Sequence, residues 1–269
     1  MKLCRFQPLV FSQESVRRNA AEARPELRHG IIEGESVREI SSGFFDKWTK
    51  GTRTWPLAGV KLVPPVTPTK IVCIGRNYRE HAVELGNAPP VEPLIFLKPP
   101  SAVIGHGDPI VLTPMSKRVD YEGELGIVIG RRCAQLKDSD DARPYILGFT
   151  CVNDVTARDL QKADVQFTRA KGFDTFCPMG PVIETELDLK TAVVETLVNG
   201  TQRQAAPVTE MIFSVDVIIR WISRVMTLEP GDVIPTGTPA GVSPLKPGDV
   251  VEVSISGLGT LRNPVVAPD

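Results

Sequence analysis

Between Val119 and Gly130 the chain reads VDYEGELGIVIG, and its acidic half sets Asp120, Glu122 and Glu124 at every second position. On a strand those three side chains face one way. Another carboxylate, Asp154, follows an apolar run in GFTCVNDVTARDLQ. Like charges gathered at strand ends repel strongly unless a cation sits among them. Oxygen donors without Cys or His suit Mg2+ or Mn2+, with Ca2+ a further option, and such ions keep positions open for water and substrate. The plain alternative is a charged strand end in solvent. The run LGIVIG speaks against it, being too apolar for a strand with one wet face.

Three further stretches could do chemistry. GRNYREHAVELG, Gly75 to Gly86, reads as a short helix, with Asn77 able to cap its start and Gly86 to close its end. His81 and Glu84 then share a face, and a carboxylate beside an imidazole can orient the ring for work on a water. An ordinary surface His–Glu pair is the competing explanation. In RAKGFDTFCPMGP, Lys171 lies in a loop among aromatics and glycines. Its ammonium could hold a carboxylate or stabilise an enolate oxygen, or simply be solvated. IPTGTPAG, Ile234 to Gly241, is a turn whose N–H groups and hydroxyls could bind an anion, although such turns are more often structural. Neither GxxxxGK[ST] nor GxGxxG occurs, so nucleotide binding has no support.

The elements that must hold these residues are mostly strands. KIVCIG, LIFLK, GELGIVIG, YILGFTCVN, GPVIET and VVEVSIS are short, apolar and bounded by Gly or Pro. The turns EPGDV and KPGDV each launch a strand. A helix is expected over Ser214 to Met226, with Ser214 as its N-cap. Residues 1–65 form a small N-terminal subdomain and residues 66–269 the larger domain, divided at the proline-rich LVPPVTPTK. Within the first part, MKLCRFQ and GIIEGESVREI suggest strands, RNAAEARPELRHG a charged linker and SSGFFDKWTKG one short helix. Many strands with few helices give an α+β, mainly β architecture.

Composition narrows the class. With 42% hydrophobic and 23% charged residues the chain suits a soluble globular protein. A net charge of −1 gives no reason to expect nucleic acid or an anionic membrane as partner. The first residues carry no apolar signal segment, and no run is long enough for a membrane helix. Five scattered cysteines without a CxxC pair read as reduced thiols in a cytoplasmic protein.

Taken together, GRNYxxHxxE, PxIFxKPPSAxIG, DYExELGxVIG, NDxTARDxQ, KGFDTFxPxGP and GDVIxTGTPxGV resemble the fumarylacetoacetate hydrolase superfamily, in that order, from about Ile71 to Asn263. The resemblance implies a mixed β-sandwich/β-roll around a divalent metal, usually in a homodimer. It implies Glu122, Glu124 and Asp154 as metal ligands, and Asp120 as a supporting hydrogen-bond partner. Lys171 would contact substrate and stabilise the enolate. Arg76, Arg158 and Gln161 would bind substrate, and Gly237 with Thr238 would form the turn that holds its carboxylate. His81 and Glu84 match a water-activating dyad on a helix that orders as a lid. The implied substrate is a small 2-oxo or 2,4-diketo acid. The dyad favours C–C hydrolysis of acylpyruvates, and oxaloacetate decarboxylation needs only the enolate. The first 65 residues resemble those of 5-carboxymethyl-2-hydroxymuconate isomerases, which favours isomerase or tautomerase work instead. A non-catalytic binding module is the reading from another class, and the presence of all four core residues counts against it.

Overall fold

The computed structural model describes residues 1–9 and 26–268. Most of the stretch read as a charged linker therefore lies outside the described residues. The fold is mainly β, as expected. One sheet begins at β1 (Lys2–Pro8), followed by β2 (Arg28–Glu33), β3 (Ser36–Ile40), β4 (Lys50–Pro56) and β5 (Val60–Val63). It continues through β6 (Ile71–Gly75), β7 (Leu94–Lys98) and β8 (Val103–Ile104). A smaller sheet includes β9 (Ile110–Val111), and a two-stranded ribbon starts at β10 (Val119–Asp120). Then come β11 (Gly123–Ile129), β12 (Ile146–Asn153), β13 (Thr156–Ala157) and β14 (Cys177–Glu184). The last strands are β15 (Val193–Val198), β16 (Thr201–Pro207), β17 (Val233–Pro235), β18 (Val250–Ile255) and β19 (Gly259–Val266).

The large sheet runs β4-β3-β2-β1-β14-β12-β11-β17-β6-β7, and the smaller one β16-β15-β18-β19-β9. Strand β1 joins the N-terminal segment to the rest: its start pairs with β14 and its end with β5 along one edge, while β2 takes the other. GIIEGESVREI is thus a complete hairpin, β2 and β3, turning at Gly34.

Strand β11 explains why LGIVIG is so apolar. Leu125, Ile127 and Ile129 pack with Val194, Val253 and Ile255 of the small sheet. Val128 belongs to a separate cluster on the opposite face, with Val152, Ile71 and Cys73. Both faces are covered, so no position on the strand reaches water. The two sheets approach closely at Gly123, where a Cβ would lie 2.0 Å from Thr196 Oγ1.

Four short α-helices occur among the described residues: α1 (Arg79–Glu84), α2 (Arg158–Ala163), α3 (Thr168–Lys171) and α4 (Val215–Val225). Helix α4 buries Val215, Ile218, Ile219 and Ile222, one stripe at helical spacing. Ser214 holds its N-cap position but makes no capping hydrogen bond through its side chain. Both PGD turns form, with Gly231 and Gly248 at φ +90° and +91°. SSGFFDKWTKG is not a helix. It is a loop between β3 and β4, closed by Thr49 N–H donating to Ser41 Oγ. Phe44 is drawn into the core there and stacks edge-on to His29, so burial overrides local helical preference. All five cysteines are free and buried, and burial pushes the thiols of Cys4, Cys151 and Cys177 up to about 12, which leaves them unsuited to nucleophilic work. No helix among the described residues is long and apolar enough to cross a membrane.

Candidate metal centre and substrate pocket

The register of β11 on β12 assembles the acidic cluster. Gly123 pairs with Asn153 and Glu124 with Val152, and the ladder continues as Asp154 N–H donates to Glu122 O. Glu122, Glu124, Val152 and Asp154 therefore share one face. Glu122, Glu124 and Asp154 are all buried, and each offers an oxygen within 4.8 Å of the others.

Two lysines and an arginine hold this cluster. Lys171 donates to Glu122 Oε2 at 2.7 Å and to Asp154 Oδ2 at 2.6 Å. Lys98, at the end of β7, donates to Asp154 Oδ1 at 2.7 Å and to Val155 O at 3.2 Å. Arg158 donates to Glu122 Oε1 at 2.6 Å, to Asp120 Oδ2 at 2.9 Å and to Gln161 Oε1 at 2.7 Å. Asp120 also receives a two-pronged contact from Arg118, so this first carboxylate of the acidic triplet is saturated by guanidinia.

Glu124 differs from its neighbours. Its hydrogen-bond partner is the Gly237 N–H, at 2.7 Å on Oε2, and no cation among the described residues pairs with it. Burial, then the charges of Asp154 and Glu122, raise its pKa well above the usual carboxylate range. Burial also opposes charge on Glu122, but Lys171 and Arg158 more than offset it and hold that carboxyl low. Burial works against the Lys171 ammonium too, and Asp154 and Glu122 override it, so Lys171 stays charged. Three converging carboxylates, one of them short of a cation, are a donor set that fits a hard divalent ion. Glu122, Glu124 and Asp154 are the residues that would hold it.

All the candidate residues except Glu84 and Gly237 line one cavity of about 240 Å³. Its walls are Arg76 beyond β6, His81 on α1, Arg158 and Gln161 on α2, Lys171 on α3 and Thr238. Phe96 and Phe167, edge-on at 5.6 Å, add an apolar side. Lys171 Nζ lies 5.0 Å from the centre of the Phe96 ring.

His81 is buried, with Nδ1 at 3.2 Å from Glu84 Oε2. Glu84 Oε1 accepts from the Gly241 N–H at 3.0 Å, so the carboxylate ties the helix to the TGTPAG loop. Gly241 has φ +108° and a Cβ there would lie 2.1 Å from Arg203 O, so only glycine fits. Helix α1 ends as expected: Gly86, at φ +72°, donates to Val83 O and Asn87 N–H to Ala82 O, a Schellman closure. Its start does not. Tyr78 holds the N-cap position, and Asn77 instead donates to Phe213 O and Thr236 O and accepts from Phe213 N–H. Asn77 fastens the root of the helix to the loop carrying Thr238.

The Gly237–Thr238 turn spends most of its donors internally. Gly237 N–H faces Glu124, and the Thr238 hydroxyl donates to Gly123 O and accepts from Gln204. Lys98 and Gln204 are site residues that sequence reasoning passed over, and Asn77 is one that it reads only as a cap. Lys98 had a usable signal: a lone charge ending the apolar run LIFLK, just as the carboxylates end theirs.

The geometry is a buried carboxylate cluster with charged partners, opening into one cavity, and comparison with known proteins shows the family. The chain belongs to the fumarylacetoacetate hydrolase family: the model described as "Fumarylacetoacetate (FAA) hydrolase C-terminal" matches residues 70–266. A model described as "Rv2993c-like, N-terminal" matches residues 1–65. The chain is 43% identical over 231 residues to oxaloacetate tautomerase YisK of Bacillus subtilis, covering 80% of this chain and 76% of that one. The structure of a 2-hydroxyhepta-2,4-diene-1,7-dioate isomerase from Mycobacterium marinum superposes with a TM-score of 0.86 at 44% identity, covering 99% of this chain and 98% of that one. That of a 5-carboxymethyl-2-hydroxymuconate delta-isomerase from Mycobacterium smegmatis gives 0.87 at 41% identity, covering 100% of both.

Proposed function

We propose that this protein is a divalent-metal-dependent enzyme that forms and reprotonates the enolate of a 2-oxo acid, as a tautomerase or isomerase. The observation that carries the reading is the buried group of Glu122, Glu124 and Asp154 with Lys171 charged beside it in one cavity. Glu122, Glu124 and Asp154 would hold Mg2+ or Mn2+, which would supply Lewis acidity toward a keto oxygen. Lys171 presents a second positive centre to the same oxygen, already oriented before substrate arrives. Arg158 fixes Glu122, and Gln161 keeps its amide N–H groups for substrate because its oxygen is spent on Arg158. Arg76 would meet the carboxylate end, beside Thr238, whose hydroxyl is already engaged with Gly123 and Gln204. The names of the relatives support proton transfer over bond cleavage as the outcome, reversing the preference drawn from the dyad.

A second reading, C–C hydrolysis of an acylpyruvate, is favoured by one contact. His81 lines the cavity with Nδ1 held by Glu84, the arrangement a general base needs to deprotonate water through Nε2. Oxaloacetate decarboxylation would use the enolate without that water.

The test sets oxaloacetate enol–keto conversion beside acetylpyruvate hydrolysis, each with Mg2+, Mn2+, Ca2+ or EDTA. Metal-dependent tautomerisation without hydrolysis supports the first reading, and rapid hydrolysis the second. No turnover of either, with or without metal, would leave only a binding module. We also carry forward a homodimer and a cytoplasmic location, the former tested by light scattering on the purified protein.

A further inference from the structure

The cations lining the cavity fall into two groups. Lys171 and Arg158 are ion-paired with Glu122, Asp154 and Asp120, which leaves Lys171 one N–H. Arg76 and Lys162 also line the cavity, and neither makes a hydrogen bond or ion pair with any described residue. They stand on different elements. Arg76 follows β6 with φ 57°, a left-handed conformation that a non-glycine residue keeps when its surroundings demand it, often at a ligand site. Lys162 lies on α2, where Arg158, Gln161 and Lys162 at i, i+3 and i+4 share a face. That face is turned to the cavity, since all three line it.

The cavity is therefore polarised, with carboxylates for a cation at its floor and unpaired positive charge at its rim. Phe96, Phe167 and Leu85 line the same cavity and give it an apolar part suited to a few carbon atoms. A 2-oxo monoacid brings one carboxylate, which the cation site and Arg76 would satisfy. Lys162, lining the same cavity, would then be left without a partner among the described residues. A second carboxylate at the other end of a short chain gives it a partner.

We infer that Lys162 is the specificity-determining residue that reads the carboxylate remote from the metal site in a diacid substrate; this rests on the enolate reading above. Lys162 is exposed and forms no part of the carboxylate network, so its replacement leaves the floor of the pocket intact. A rim charge of this kind acts on substrate capture, and its loss appears in KM more than in kcat.

The experiment compares proton exchange at C3 of oxaloacetate and of 2-oxobutanoate, a diacid and a monoacid of equal chain length, in deuterated buffer with Mg2+. Wild-type enzyme is expected to favour oxaloacetate in kcat/KM. Lys162→Met should raise KM for oxaloacetate by up to roughly fivefold, the size of one solvent-exposed charge contact, with kcat and the 2-oxobutanoate kinetics nearly unchanged. Lys162→Arg should restore the diacid KM. Equal effects on both substrates, no effect on either, or a wild type without preference would overturn the inference while the enolate reading stands. Absence of metal-dependent exchange on every 2-oxo acid would remove that reading, and this one with it.

Discussion

Lys98 Nζ donates to Asp154 Oδ1 at 2.7 Å, joining the end of an outer strand to the end of a central one with both side chains out of water. The contact fixes which oxygen Asp154 turns toward Glu122 and Glu124. Lys98→Met should lower stability by about 3 kcal/mol, because it leaves a buried carboxylate short of a partner. It should also weaken Mg2+ binding, and Lys98→Arg should recover part of both. Urea unfolding and titration calorimetry read the two effects; a variant as stable as wild type would remove Lys98 from the network.

Glu124 makes the metal-free protein sensitive to alkali. Its folded pKa is raised, so it favours the neutral acid. The stabilising contribution is fully present below the unfolded value of about 4.3 and is lost as pH rises through the folded one. Glu122 is held low, so its contribution is present above the unfolded value and lost as pH falls through the folded one. In EDTA, Glu124→Gln should therefore melt higher than wild type at pH 8, with the gap closing toward pH 4. Mg2+ should reverse the order at pH 8, since only the carboxylate ligates well. Thermal melts across pH with and without metal check both signs.

His81→Ala separates the two reactions. If water activation is its work, acetylpyruvate hydrolysis should fall roughly 10²- to 10⁴-fold. Oxaloacetate tautomerisation should change far less, since it consumes no water. Parallel loss in both assays would assign His81 to the enolate itself.

Gly241→Ala tests the tether of α1. A Cβ 2.1 Å from Arg203 O forces the loop to move, and with it the N–H that Glu84 accepts. Hydrolysis should drop well beyond any loss of metal affinity, because the Gly241 N–H holds Glu84 while the cluster is touched at the loop's other end, by the Gly237 N–H on Glu124. An equal loss of metal binding would mean that the strain reaches Gly237.

The acidic cluster is legible in the sequence because its cause is local: two glutamates at strand spacing, and an aspartate ending the neighbouring strand of the same hairpin. The strands and α4 are legible for the same reason, each carrying its own period and its own turn residues. Lys98 was harder, since its partner lies 56 positions away and a lysine after an apolar strand ordinarily marks an edge in water. Asn77 looked like a cap because capping is what asparagine does next to a helix. Its amide was claimed by Phe213 and Thr236, from segments that only the tertiary fold brings near. SSGFFDKWTKG failed as a helix because one buried phenylalanine outweighed its backbone preference.

The pairing of Gly123 with Asn153 has a consequence for how the chain reaches its native state. A shift of one residue along β12 would put Asp154 on the opposite face from the glutamates and dismantle the cluster. A divalent ion that needs all three carboxylates can thus bind only the correctly aligned hairpin, and by mass action it withdraws that alignment from the pool of slipped ones. The ion would serve as a proofreader of strand alignment, an office separate from any reaction it later assists.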